Sequence, residues 1–149
     1  MAISYATAGF RMGLLGAIGQ YLQEKGVAKW TTPWAATDTA ISVDVYPASP
    51  DKAIALTLYP VSSPGGTDLV MGLQLRIRGK PGNRVEDKDL LDKAEDALDG
   101  LTGITWAGVP IVLVKLVSGA YLGTDANNRP DHSQNYYITM TREGLNRQD

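Results

Sequence analysis

The segment from Gly103 to Met140 constrains the fold more than any other part of the chain. It contains a run of apolar, mostly β-branched residues from Ile111 to Val117, followed by the small pair Ser118-Gly119, a polar stretch and a Tyr-rich stretch. Dense apolar runs are typical of strands that are covered on both faces. The segment therefore predicts a strand in the middle of a β-sheet, then a loop from Gly119 to Ser133, then a second strand.

The size and composition of the chain favour one globular domain that spans residues 1–149. Hydrophobic residues make up 44% of the 149 positions and charged residues 20%, which is an ordinary globular balance. The net charge of −2 gives no general attraction to nucleic acid or to an anionic membrane. The sequence has no Cys and one His, which excludes disulfides, thiolate nucleophiles, cysteine zinc sites and a histidine-rich metal site within one chain.

The apolar N-terminal stretch from Ile3 to Leu22 predicts neither an export signal nor a membrane span. Arg11 lies inside the apolar stretch, no basic segment precedes it, and Gln20 also interrupts it. We therefore expect a protein that stays in the cytoplasm in which it is made and that has no membrane partner.

Two segments have apolar residues at helical spacing. The first runs from Tyr5 to Lys25 and ends at Gly26, and the second runs from Val85 to Leu98. Gly9, Gly13 and Gly16 lie near one another on the first helix. This strip of small residues would let either a sheet of the same chain or a neighbouring subunit approach closely.

Alternation of apolar and polar residues predicts the strands. Two alternating runs flank the turn-forming segment Ser62–Thr67, which predicts a β-hairpin with a projecting tip. The predicted strands are residues 41–45, 54–58, 69–77, 109–117 and 135–141. The expected fold is α+β: a single domain with a mostly antiparallel mixed sheet of four to five strands and two main helices, in the order α-β-β-β-α-β-β. Residues 143–149 are expected to form a loose tail.

No catalytic, cofactor-binding or metal-binding residue is predicted. Asp125 to Arg129 begins like a calcium loop, but Pro130 stands where that loop needs Gly and Tyr136 where it needs Glu, so a turn is expected. His132 lies beside Asp131 without an evident nucleophile, which favours a solvated loop histidine over an acid–base catalyst.

A small group of basic residues follows the third predicted strand. Arg76 and Arg78 share the face of that strand that points away from the core, and Lys80 and Arg84 come soon after. The spacing from Gly79 to Arg84 does not fit a Walker phosphate loop. The four cations could contact DNA phosphates or an acidic protein, or they could simply protect a strand edge from pairing.

Several motifs together resemble a known family. They are Pro47 to Leu56, Gly108 to Leu113, Ser118-Gly119, Leu122 to Asp125 and Asn135 to Ile138. In order and spacing they resemble the minor capsid or tail-terminator proteins of long-tailed, non-contractile bacteriophages. The resemblance extends over nearly the whole chain, and this family has no catalytic motif to transfer.

The resemblance implies a structural virion protein that assembles as a ring, commonly of six subunits, on the end of the tail tube. Such a ring stops tube polymerisation and offers a docking surface to the head or neck, so the implied partners are copies of itself, the tail tube protein and connector proteins. DNA would pass through its lumen without sequence-specific binding. The expected location is the tail–neck region of the virion, after assembly in the cytoplasm of the host bacterium.

Two groups of residues are candidates for contacts in such an assembly. The candidate lumen or neighbour contacts are the basic residues Arg76, Arg78, Lys80 and Arg84. The candidate subunit or tube contacts are Ser62, Ser63, Pro64, Gly65, Gly66, Thr67, Tyr121, Asp125, Asn127, Asn128 and Arg129. The alternatives are another connector or head-completion protein of the neck, and a small-ligand module or enzyme that would use Asp125, Asp131 and His132.

Overall fold

A six-stranded sheet and two helices form the described part of the chain. The computed structural model describes residues 9–144, so the start predicted for the first helix at Tyr5 and residues 145–149 of the predicted loose tail lie outside it. The elements are α1 (Phe10–Glu24), β1 (Ala40–Val43), β2 (Ala53–Gly65), β3 (Asp68–Arg78), α2 (Glu86–Leu98), β4 (Ile104–Trp106), β5 (Val109–Thr124) and β6 (Pro130–Thr141).

The strands are ordered β1-β2-β3-β6-β5-β4. β1 pairs with β2 in parallel, and the other neighbouring strands are antiparallel. The predicted α+β class and the two helices are confirmed, but the predicted four to five strands are corrected to six in a mixed sheet. The strand that was missed is β4, which has only three residues and returns into β5 through a tight turn, with Ala107 and Gly108 both at positive φ. Three residues are too few to display an alternating pattern.

The hydrophobic core lies between one face of the sheet and the helices. Alternate residues of β3 from Leu69 to Ile77 are buried there, as are Tyr136, Ile138 and Met140 of β6. Tyr136 is fully buried whereas Tyr137 is 40% exposed, because adjacent residues of a strand point to opposite faces. α1 contacts β1 and β2 near one edge of the sheet and β4 at the other, so the sheet curls around this helix.

The glycines of α1 allow close packing within the chain. Gly26 ends the helix as predicted, with positive φ and with the Val27 N–H donating to the Leu22 carbonyl. Gly13 and Gly16 are buried, whereas Gly9 is exposed and a Cβ there would meet nothing within 4 Å. A Cβ at Gly19 would lie 2.5 Å from the ring of Trp30, so this glycine lets the segment after the helix fold back against it.

Candidate assembly interface

Exposed apolar side chains are concentrated on β5. Among residues 9–144, five of the nine large hydrophobic side chains that are exposed lie on this one strand. They are Val112, Leu113, Val117, Tyr121 and Leu122. The prediction that the apolar run from Ile111 to Val117 would be buried on both faces is therefore wrong, because within the described chain only Ile111 and Val114 of that run are buried.

β-Bulges explain the exposure of three of these side chains. The pairing of β5 with β6 skips one residue between Ile111 and Leu113, again between Leu116 and Ser118, and again between Tyr121 and Gly123. The three residues skipped are Val112, Val117 and Leu122, and each is exposed. An extra residue in a bulge lies outside the regular ladder and bends its strand. The strand therefore follows the curl of the sheet while presenting an apolar residue at every fifth position.

The outer edge of β5 is covered along only part of its length. β4 pairs with Val109 to Ile111, the Leu101 carbonyl accepts from the Val114 N–H, and the Asp99 carboxylate accepts from the Leu116 N–H. From residue 117 to residue 124, no strand in the described part of the chain pairs with this edge. We call residues 117–124 the open β5 edge.

A groove runs beside the open β5 edge. It has a volume of about 320 Å³ and lies between β5 and α2. Leu91 and Glu95 of the helix line one wall, and Leu116, Ala120 and Tyr121 are among the strand residues that line the other. Because the unpaired strand edge and a partly apolar groove are adjacent, an added strand could bond to the edge and place alternate side chains in the groove.

The loop predicted from Gly119 to Ser133 is largely strand. β5 continues to Thr124 and β6 begins at Pro130, so the connection is a short turn. Asp125 shapes this turn: its Oδ1 accepts from the Asn127 and Arg129 N–H groups, its Oδ2 accepts from Arg129 Nε at 2.8 Å, and Asn128 has a φ of 59°. Burial opposes ionisation, but the bonds from Arg129 prevail and lower the pKa of Asp125.

The turn of the hairpin tip from Ser62 to Thr67 is also shorter than predicted. β2 extends to Gly65, which pairs with Asp68, so only Gly66 and Thr67 form the turn. The register shifts before Ser62 and again before Gly65. Thr67 is buried and its carbonyl accepts from the Arg142 N–H, whereas residues 62–66 are exposed.

Tyr121 covers a buried polar pair. Its ring is 5.2 Å from the ring of His132, and the guanidinium of Arg84 lies 4.8 Å above it. His132 is not a solvated loop residue as predicted, because it is buried on β6 and its Nε2 lies 2.7 Å from Oδ2 of the fully buried Asp87. Burial raises the pKa of Asp87, but the hydrogen bond from His132 and the charge of Lys88 outweigh it, so the net pKa is lowered.

The structure does not bring the four candidate basic residues together into one patch. Arg76 pairs with Asp131, and Arg78 is only 4% exposed because it donates to carbonyls of the β1–β2 connection. Lys80 lies 3.6 Å from Glu86, and Arg84 lies 3.9 Å from Asp87. Each cation thus has an acceptor or a carboxylate of this chain beside it, which weakens the positive potential that the sequence suggested.

With the geometry established, comparison with known proteins gives a family. The sequence matches the family described as bacteriophage tail terminator protein over residues 21–142. The chain belongs to this family. The resemblance inferred from the sequence motifs is thereby confirmed. Comparison with curated protein sequences gives no match.

A solved structure shares the fold of this tail terminator family member. It is a chain of the virion of a native gene transfer agent particle, with a TM-score of 0.64 and 12% sequence identity, and the match covers 91% of this chain and 100% of that one. At this identity the likeness concerns the fold. Of the helices within residues 9–144, none has the length and hydropathy that a membrane span needs.

Several residues of this candidate interface and its surroundings were not identified from the sequence. Val112, Val117 and Leu122 were assigned to a buried strand or to a loop, although their spacing of five residues fits neither a regular strand nor a helix. That spacing is the signal that could have indicated repeated bulges. Tyr46, whose hydroxyl donates to Asp131 at 2.6 Å, gave no signal because its partner is 85 residues away.

Proposed function

We propose that this protein is the tail terminator of a long-tailed phage or a phage-like particle, and that it forms a ring, six-membered as is common in the family, at the end of the tail tube. The observation that carries the proposal is the family match over residues 21–142. The exposed apolar side chains of β5 support it, because large apolar patches on a soluble protein are typical of interaction surfaces. In this role the protein joins other virion components and catalyses no reaction.

The proposed ring needs a head-to-tail contact between subunits and a separate face for the tube. A contact between two different surfaces of one chain generates a ring if its rotation closes, and a filament if it does not. We assign the exposed tip residues 62–66 and the exposed turn residues Asp125 to Asn128 to contacts with the tube or a neighbour, since both project from strand ends, whereas Arg129 of the same turn is 8% exposed. Contacts of Arg76, Lys80 and Arg84 with DNA in the lumen would be independent of base sequence.

Particles assembled without this protein should carry over-long tails. The physical reason is that tube protein keeps adding to an uncapped end. Electron microscopy of the particles measures tail length, and supplying the unchanged protein in trans is the control. Tails of normal length detached from finished heads would instead indicate a connector of the neck, and normal particles would contradict both roles.

Deleting Pro64 should prevent capping while leaving the protein folded. This residue and Ser63 lie in the irregular part of the hairpin between Ser62 and Gly65, so one deletion regularises the tip and keeps the Gly65–Asp68 pair. Tail length in particles made with the variant is the readout, and circular dichroism with thermal unfolding checks the fold. A folded variant that still gives tails of normal length would show that the tip makes no essential contact.

A further inference from the structure

We infer that the open β5 edge is one half of a subunit–subunit contact, and that its occupant is the β1–β2 end of a second copy of this chain. This inference rests on the proposed ring and specifies which surfaces close it. It commits to a self-contact that adds a strand, so neither the tube protein nor another virion protein would lie on this edge.

The first argument is that the chain has a second open edge that complements the first. β1 pairs only with Ala53 to Leu56, so the rest of β2, from Thr57 to Gly65, has no partner on its outer side among residues 9–144. Exposed apolar side chains occur at this side of the sheet too, at Val61 of β2 and at Val45 just after β1. The two unpaired edges belong to opposite sides of the strand order, which is what a head-to-tail contact requires and a two-fold contact does not.

The second argument is strand direction. β2 and β5 are separated by β3 and β6, and each step is antiparallel, so β2 and β5 run in opposite directions. A copy added beside the first in the same orientation therefore brings its β2 antiparallel to the open β5 edge. Antiparallel pairing is the more stable arrangement per residue.

The third argument is stagger along the strands. The open β5 edge lies level with the end of β3 at Arg78, whereas the open part of β2 lies level with the start of β3 at Asp68. Matching them displaces each copy along the strands relative to the last. A regular stagger of this kind accompanies the tilt by which sheets close into cylinders.

The open β5 edge and the open part of β2 differ in how well their sequences prevent pairing with another strand. Residues 117–124 contain no charge and no Pro, whereas Pro60 and Pro64 interrupt β2. The main-chain groups of Leu56 point to the outer side of β2, where its carbonyl accepts from the Asp44 N–H. Main-chain groups that point to this side recur at every second residue, so those of residue 60 also point outward. Pro60 has no N–H, and the outer side of β2 therefore lacks one donor there. Main-chain pairing is therefore short, and the apolar side chains of β5 supply the rest of the contact.

Thiol cross-linking tests which surfaces meet. The chain has no Cys, so every cross-link between two copies of it joins introduced residues. In particles that carry the protein, the double variant Ala120→Cys with Ser62→Cys, treated with a short bis-maleimide, should give a ladder of cross-linked multimers. Each single variant should give none, and Asp96→Cys with Ser62→Cys, which uses the exposed face of α2, is the matched control.

Three outcomes would overturn the inference. Dimers from Ala120→Cys alone would mean that two β5 edges meet, a cross-link from residue 120 to another virion protein would mean a different occupant, and no cross-link in intact particles would mean that the edges do not meet. If particles lacking the protein have normal tails, the proposed function fails on its own. The cross-linking result still reports on the self-contact.

A charge on the edge provides an independent test. Val117→Lys should abolish particles with tails of normal length, because the ammonium would have to be desolvated against an apolar neighbour. Val85→Lys makes the same change at an exposed valine just before α2 and should leave tail length unchanged. Both variants should unfold like the parent protein. Normal capping by Val117→Lys would count against the inference while leaving the terminator role intact.

Discussion

Replacing His132 by Ala should lower the free energy of unfolding by about 3–5 kcal/mol. His132 is the hydrogen-bond partner of Oδ2 of Asp87, whose side chain has no exposed surface. Without the imidazole, the carboxylate at the start of α2 would remain buried with the Lys88 main chain as its hydrogen-bond partner and with the charged groups of Arg84 and Lys88 at 3.9 and 4.0 Å. Urea unfolding followed by tryptophan fluorescence measures the loss.

A double-mutant cycle separates this pair from the packing around it. Asp87→Ala combined with His132→Ala should cost little more than His132→Ala alone, because the second change removes the stranded carboxylate. Asp89 is the matched control: it also lies in the first turn of α2 but is exposed, so Asp89→Ala should cost about 0.5 kcal/mol. Fully additive costs at residues 87 and 132 would contradict the pairing.

The pH dependence of the same pair has a defined sign. Because the folded-state pKa of Asp87 is lowered from its ordinary 3.8, the ionised carboxylate stabilises the folded chain above that pH. The contribution is lost as the pH falls through the folded-state value. The difference in unfolding free energy between the parent protein and Asp87→Asn should therefore shrink below pH 3.8. If this difference in unfolding free energy instead grew below pH 3.8, the folded-state pKa of Asp87 would have to be raised, contrary to the prediction.

The amphipathic elements could be predicted from the sequence because their apolar faces are buried by the same chain. α2 buries Leu90, Ala94 and Leu98, and β3 buries every second residue from Leu69 to Ile77, as the periodicity indicated. Periodicity reports burial against any surface, however. In β5 the same apolar density is exposed within the described chain, so the pattern alone could not distinguish a buried strand from one with exposed apolar side chains.

Turn-forming residues misled the prediction at both hairpins. Ser62 to Gly65 and Gly119 to Thr124 have loop-like composition, yet both belong to strands. Irregular register accommodates them: β2 shifts twice near its tip and β5 three times along its length. Local composition indicates flexible backbone, but whether that backbone pairs depends on the partner strand.

Sequence proximity also suggested the wrong partners for two side chains. His132 was considered with Asp131, but adjacent strand residues point to opposite faces. His132 meets Asp87 on the core side, whereas Asp131 meets Arg76 and Tyr46 on the other. These contacts span 45, 55 and 85 residues, distances over which periodicity carries no information.

Replacing Arg78 by Met should lower the free energy of unfolding by about 3–5 kcal/mol. The guanidinium donates to three main-chain carbonyls: Asp51 at 2.7 Å, Pro47 at 2.7 Å and Pro50 at 2.9 Å. Its Cζ also lies 4.7 Å from the ring centre of Tyr46. Methionine fills similar volume but leaves all three carbonyls without their donor, so the loss measures these bonds and not the loss of packing.

These bonds matter because of the way β1 joins the sheet. β1 and β2 are parallel, so the chain from Asp44 to Lys52 must return to the starting level of β1 over only nine residues. Parallel neighbours usually need a connection of a dozen or more residues, commonly a helix that satisfies its own carbonyls. Here Arg78 of β3 donates to three carbonyls of this connection, and Arg129 donates to a fourth, that of Ala48, at 3.2 Å. The motif Pro47 to Leu56, which carried part of the family resemblance, comprises most of this connection and the start of β2.

Two variants make the test specific. Arg78→Lys should recover only part of the loss, because an ammonium cannot reproduce the planar fork that reaches three acceptors. Arg76→Met removes the same kind of side chain two residues earlier on the same face, where the partner is a partly exposed carboxylate, and should cost about 1 kcal/mol. Because Arg78 is buried, its loss should affect capping only through unfolding, so particles made below the variant's melting temperature should have normal tails. Over-long tails from a folded Arg78→Met protein would instead show that Arg78 holds the β1–β2 end in the shape that the inferred subunit contact needs.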